Sequence, residues 1–172
     1  EVFLDKIAPF SALRFMDWGS TNSSPNVEWS DRGLTSYFTY AGAQGVPYET
    51  MIELANQLEK DVWICVPHQA NNDYITQMAT LFRDNLNGNS RIFLEYSNEV
   101  WNWIFSQAHY NNNNRPSNLS YGRAMAERAK NVLSYGDYDK DGIIDIAIVL
   151  DNNEKQISRL LVICTNSVTK EP

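Results

Sequence analysis

Glu99 closes an apolar run, Arg91-Ile92-Phe93-Leu94-Glu95-Tyr96-Ser97-Asn98, and is followed by Val100 and Trp101. A carboxylate just past the end of a strand is placed for proton transfer, because the loops that follow parallel strands converge there around a ligand. Asn98 beside it brings an amide that both donates and accepts hydrogen bonds. Further along, Asp137, Asp139, Asp141 and Asp145 recur at i, i+2, i+4 and i+8, with Gly142 after the third. Oxygen ligands at that spacing in a tight turn suit a hard cation; calcium takes about six to eight, and the Ile143 carbonyl would supply another. Four aspartates so close repel one another unless a cation neutralises them. The run is not an EF-hand, since its twelfth position is Ile148 and a strand-like stretch follows. An acidic turn without metal is the plainer alternative.

The elements that would position these groups can be read from periodicity. With period two, Ile92, Leu94 and Tyr96 share one face, and Phe93, Glu95, Ser97 and Glu99 share the other. A first strand is expected over Phe10–Met16, with Leu13 and Phe15 opposite Ala12, Arg14 and Met16. Arg14, Glu95 and Glu99 are thus expected on one face, where Arg14 can pair with a carboxylate in either a catalytic or a structural ion pair. A long loop fills residues 17–46, and its aromatic residues Trp18, Trp29, Tyr37 and Tyr40 suit either a ligand cleft or the anchoring of the loop. Pro47 opens a helix. Met51, Ile52, Leu54, Ala55 and Leu58 give that helix one apolar stripe. A second strand covers Asp61–Pro67 and ends at His68. A second helix, capped from Asn71–Asp73, covers Tyr74–Leu86 and buries Ile75, Met78, Ala79, Leu81, Phe82 and Leu86. A third helix is expected from Ser117 to about Val132, after a polar segment around Asn111–Pro116. Strand, loop, helix, strand, helix, strand is the order of βαβ units, so the expected class is α/β with parallel strands.

Tyr96-Ser97-Asn98-Glu99-Val100-Trp101-Asn102 resembles the strand-four motif of the clan A retaining glycoside hydrolases, which fold as (β/α)8 TIM barrels. Leu13-Arg14-Phe15-Met16-Asp17-Trp18 and Gly45-Val46-Pro47 fit the same likeness, which spans about residues 10–130. It implies that Glu99 is the general acid/base protonating the glycosidic oxygen, and that Asn98 binds the sugar hydroxyl next to the anomeric carbon. Arg14, His68, Trp18 and Trp101 are the further substrate-binding candidates. For each of them a structural role is the alternative, as a first-turn helix position is for Glu99. A retaining mechanism needs two carboxyl groups about 5 to 5.5 Å apart. Glu95 cannot serve as the second, because four residues along one strand is roughly 13 Å. The family's nucleophile is a glutamate on strand seven, and nothing in this sequence matches it; strand one and strands five to eight also lack counterparts, a whole barrel usually taking about 250 residues. The expected architecture is therefore a partial (β/α) barrel over residues 1–132, either a fragment left inactive by the missing nucleophile or one completed by a further chain or domains. A short β segment over 133–172 carries the aspartate motif. That segment resembles an FG-GAP or VCBS-type calcium-binding repeat, which implies Ca2+ held by Asp137, Asp139, Asp141, Ile143 and Asp145.

Composition bounds the partners. The 172 residues carry a net charge of -7 and no basic cluster, which argues against nucleic acid. No apolar run approaches the roughly 18 residues of a membrane span. Cys65 and Cys164 each lie in an apolar run and read as small buried hydrophobes. The expectation is a secreted, extracellular, carbohydrate-active protein acting on a polysaccharide or oligosaccharide. The alternative is a noncatalytic extracellular calcium-binding, adhesion or carbohydrate-binding protein.

Overall fold

The computed structural model describes residues 2–134, 146–152 and 157–163. Along them run helix α1 (Val2–Ile7), strand β1 (Ala12–Arg14), a 3-10 turn (Trp29–Asp31), α2 (Tyr48–Leu58), β2 (Asp61–Val66), α3 (Asn72–Asn85) and β3 (Ile92–Tyr96). Helices α4 (Ser106–Asn113) and α5 (Tyr121–Ser134) follow, then strands β4 (Ile146–Asn152) and β5 (Ile157–Ile163). The protein is mixed α/β, with β1, β2 and β3 forming a parallel sheet. Among the described residues no helix is long and apolar enough to cross a membrane.

The period-two pattern is realised strand by strand. Val62, Ile64 and Val66 of β2, and Ile92, Leu94 and Tyr96 of β3, lie on one face and are buried, with Leu13 of β1 beside them. Helices α2 and α3 cover that face because their apolar residues recur on one side: Met51, Ile52 and Ala55 from α2, and Ile75, Met78, Ala79 and Phe82 from α3. Between the two helices the Tyr48 and Tyr74 hydroxyls meet at 2.9 Å, which satisfies two buried polar groups with one hydrogen bond. Asn71 caps α3 by accepting the Tyr74 N–H on its Oδ1 at 2.7 Å. Pro47 stands at the N-cap of α2, one residue before the first helical position.

Several boundaries differ from those read in the sequence. The strand expected over Phe10–Met16 is reduced to Ala12–Arg14, because β1 pairs only where Ala12, Leu13 and Arg14 face Asp61, Val62 and Trp63. The third helix starts at Tyr121 instead of Ser117. Between β3 and that helix lies α4, which takes in the start of the polar stretch at Asn111–Asn113 and whose buried residues are Gln107, Ala108 and Asn111. Two amides stand where an apolar stripe would be expected, so the helix leaves no hydrophobic signature.

The two ends of the long loop are drawn together at two glycines. The Val46 N–H donates to the Trp18 carbonyl at 2.7 Å. Gly45 has φ +79, and a Cβ there would meet the Trp18 carbonyl oxygen at 2.6 Å, while one on Gly33 would meet the Gly45 oxygen at 2.2 Å. Beyond β3, β5 pairs with it antiparallel, with Phe93 facing Ile163 and Leu94 facing Val162; β4 then pairs with β5. The sheet order is β1-β2-β3-β5-β4. The edge that β3 would otherwise leave open is thereby paired.

Candidate functional site

Register brings the polar residues together. Arg14 faces Trp63 and Cys65 faces Glu95 in the parallel ladder, and all four belong to the strand positions that alternate with the core. Glu95 Oε2 accepts from Arg14 Nη2 at 2.7 Å, from Trp63 Nε1 at 3.0 Å and from Cys65 Sγ at 3.4 Å. The Arg14 guanidinium also lies 5.0 Å from the centre of the Trp63 ring, within the range of a cation–π contact. The Arg14 and Glu95 side chains keep 36% and 22% of their surface in contact with solvent, so the pair adds about 1 kcal/mol or less to stability. Its consequence is positional. Burial, reinforced by the Glu95 charge, pushes the Cys65 thiol well above its ordinary range, which makes it a poor nucleophile.

Arg14 Nη2 also donates to Asn98 Oδ1 at 3.0 Å, and Asn98 Nδ2 donates to Asn22 Oδ1 at 3.0 Å. Both ends of the buried Asn98 amide are therefore engaged, and its orientation is fixed. Gln107 ties the neighbourhood together: its Nε2 donates to the Asn98 carbonyl at 2.7 Å and to Asn22 Oδ1 at 2.8 Å, while its Oε1 accepts the Ser23 N–H at 2.8 Å. The path from β1 through the long loop to α4 thus converges on the residue before Glu99.

Glu99 lies three residues past the last residue of β3. Ser97 and Glu99 have φ of 55 and 42, a left-handed backbone that costs non-glycine residues about 1 kcal/mol or more and concentrates at functional sites. The turn is held by the Ser97 N–H donating to the Val66 carbonyl at 2.8 Å and by the Asn102 N–H donating to the Glu99 carbonyl at 2.8 Å. The Glu99 carboxylate is half-buried and its Oε2 accepts from Asn102 Nδ2 at 2.9 Å. That leaves oxygen lone pairs for a further partner.

The remaining candidates are dispersed. Trp18 packs on the core, its ring 5.5 Å from Phe15 and stacked at 6.4 Å on Phe3. Trp101 is half exposed beside the Glu99 turn. His68 is 1% exposed, with its ring edge-on to Tyr110 at 5.2 Å and its Nδ1 buried without a hydrogen-bond partner among the described residues. Burial pushes its pKa down to about 4, which keeps the ring neutral. His109 meets the Trp103 carbonyl at 2.8 Å. Asp137, Asp139, Asp141, Ile143 and Asp145 lie outside the described residues, as does Cys164. Among the described residues no group of three or more His, Cys, Asp or Glu side chains is arranged to hold a metal ion. Trp63, Asn22 and Gln107 join the cluster without having been singled out from sequence. Parity places Trp63 opposite the core, whereas Gln107 carries no pattern and Asn22 only that of a glycosylation acceptor, Asn22-Ser23-Ser24, which does not point to this cluster.

Fold and cluster together define an α/β protein with an arginine-organised polar site at the carboxyl edge of parallel strands. Comparison with known proteins adds no relative: no family model, no curated protein and no solved structure matches the chain.

Proposed function

We propose that the protein is carbohydrate-active, of the retaining glycoside hydrolase type, with Glu99 as general acid/base at the rim of a partial (β/α) barrel. The observation that carries the reading is the chain of contacts from Arg14 to Asn98 Oδ1 and from Asn98 to Asn22, which fixes the amide immediately before a half-buried, singly hydrogen-bonded carboxylate. In this reading Asn98 and Arg14 meet sugar hydroxyls, and exposed Trp101 offers a flat apolar face to a ring. The second carboxylate, needed at about 5 to 5.5 Å, comes from a further chain or domain that meets the carboxyl edge of the strands, since the outer edge of β3 is already taken by β5. The setting is extracellular and the substrate a polysaccharide or oligosaccharide.

The test is oligosaccharide binding by the protein itself and hydrolysis of aryl glycosides by its assembly with the part that supplies the second carboxylate, each with and without the Glu99→Gln substitution. Loss of an acid/base is expected to lower the rate by about 10²–10⁴ while leaving oligosaccharide binding in place. Hydrolysis indifferent to Glu99→Gln, or the absence of both hydrolysis and binding, would remove the reading. Calcium at Asp137, Asp139, Asp141, Ile143 and Asp145 is a separate element of it. Chelation is expected to lower the thermal midpoint, and added calcium to restore it; an unchanged midpoint would leave an acidic turn without metal.

A further inference from the structure

The turn that follows α3 carries a reactive pair. Asn87-Gly88 is the one Asn-Gly pair in the chain, and both residues are exposed. Asparagine is among the heat-labile side chains. Its amide carbon, Cγ, can be attacked by the backbone nitrogen of the next residue, and a side chain on that residue obstructs the approach. Gly88 brings none. A Cβ built on it would meet nothing within 4 Å, so its main chain has open space in which to swing over Asn87. The turn is closed by the Ser90 N–H donating to the Asn87 carbonyl at 2.9 Å, which places Gly88 and Asn89 at its two central positions.

The residue that reacts also fastens α3 to α2. The Asn56 amide, in the last turn of α2, donates from Nδ2 to the Asn85 carbonyl at 2.8 Å and accepts the Asn87 N–H on Oδ1 at 2.8 Å. Asn87 Nδ2 returns a weaker bond to the Asn56 carbonyl at 3.4 Å, near the outer limit of a hydrogen bond. The backbone of Asn87 is thus held firmly and its side-chain amide loosely. Asn98 is the opposite case: it is 5% exposed, both ends of its amide are engaged, and a bulky side chain follows at Glu99.

We infer that Asn87 is a site of spontaneous deamidation, which converts it to aspartate or isoaspartate and loosens the clasp between α2 and α3. The Gly88 nitrogen forms a bond to Asn87 Cγ, the Cγ–Nδ2 bond breaks, and ammonia departs with the proton that the Gly88 nitrogen gives up. Water then opens the cyclic imide. Cleavage of the Cγ–N bond yields aspartate; cleavage at the main-chain carbonyl yields isoaspartate, which adds a methylene to the backbone. The reaction requires nothing of Glu99 and no reagent besides water. The new carboxylate has no proton for the Asn56 carbonyl, and it sets a negative charge beside the C-terminal ends of both helices, where the helix dipoles disfavour it.

The test holds the full-length protein in warm, mildly alkaline buffer and follows it by peptide-mapping mass spectrometry, with enzymatic methylation to detect isoaspartate. The amide-to-acid mass change is expected at Asn87 ahead of Asn89 and Asn98 while the protein is folded, and Gly88→Ala is expected to slow it severalfold. Asn87→Asp, which supplies the product from the outset, is expected to lower the thermal midpoint by about 1–4 °C. Earlier conversion at another asparagine, conversion of Asn87 confined to protein unfolded in urea, or a rate unchanged by Gly88→Ala would overturn the site. A midpoint unmoved by Asn87→Asp would overturn its effect on the two helices.

Discussion

The two faces of the parallel strands have opposite character. On one, Leu13, Val62, Ile64, Val66, Ile92, Leu94 and Tyr96 are at most 9% exposed and lie beneath helices. On the other, Arg14, Trp63 and Glu95 gather around one carboxylate oxygen and remain partly in contact with solvent. The first face supplies the free energy that holds the strands in register, since burial of apolar area is the largest favourable contribution to folding. The second spends that rigidity on orientation. A half-solvated ion pair contributes little stability, yet it fixes a guanidinium to within hydrogen-bonding distance of the Asn98 amide.

The contrast breaks most visibly at Phe82, which is fully buried with its ring 5.7 Å from Tyr48. Phe82→Ala is expected to cost about 3–5 kcal/mol in urea unfolding. A cost under 1 kcal/mol would mean that the helical side is loosely packed.

A smaller, pH-dependent effect belongs to His68, on the same buried side. Its folded pKa of about 4 lies below the ordinary 6.5, so the unfolded chain takes up the proton first. The stability from keeping the ring neutral is complete above pH 6.5 and is lost as pH falls from 6.5 to 4, by about 3 kcal/mol in all. Replacing His68 with Phe should flatten the acid limb of stability against pH in that window. Parallel curves for the two proteins would show that His68 does not titrate there.

The smallest effect is expected on the polar face. Glu95→Ala removes the shared acceptor of Arg14, Trp63 and Cys65, but water can reach the guanidinium, so the loss should be about 1 kcal/mol. If it matched the loss at Phe82, the supposed difference between the faces would be false.

Much of this contrast was legible in the residues. The alternation Ile92-Phe93-Leu94-Glu95-Tyr96 is enough to assign faces, and the same parity at Leu13 and Arg14 anticipates the Arg14–Glu95 pair. Helices α2 and α3 announce themselves through apolar stripes. Helix α4 does not, because what it buries is Gln107 and Asn111, and an amide is buried only when its partners are in place. Those partners lie far away in sequence: Asn22 and Ser23 for Gln107, and Tyr96 for Asn111. No local pattern encodes such an arrangement. The fate of His68 illustrates the same limit, since the end of a strand is a position where a ring can either reach a ligand or fold back against a neighbour such as Tyr110.

Gly33 and Gly45 act as a suture that closes the long loop on itself, and what makes the stitch is the absence of two methyl groups. A carbon on Gly45 would meet the Trp18 carbonyl and part the two limbs of the loop, four residues before Asn22, whose Oδ1 takes the Asn98 amide. The amide relay beside Glu99 thus has one anchor in a loop whose closure depends on two of the smallest residues in the chain.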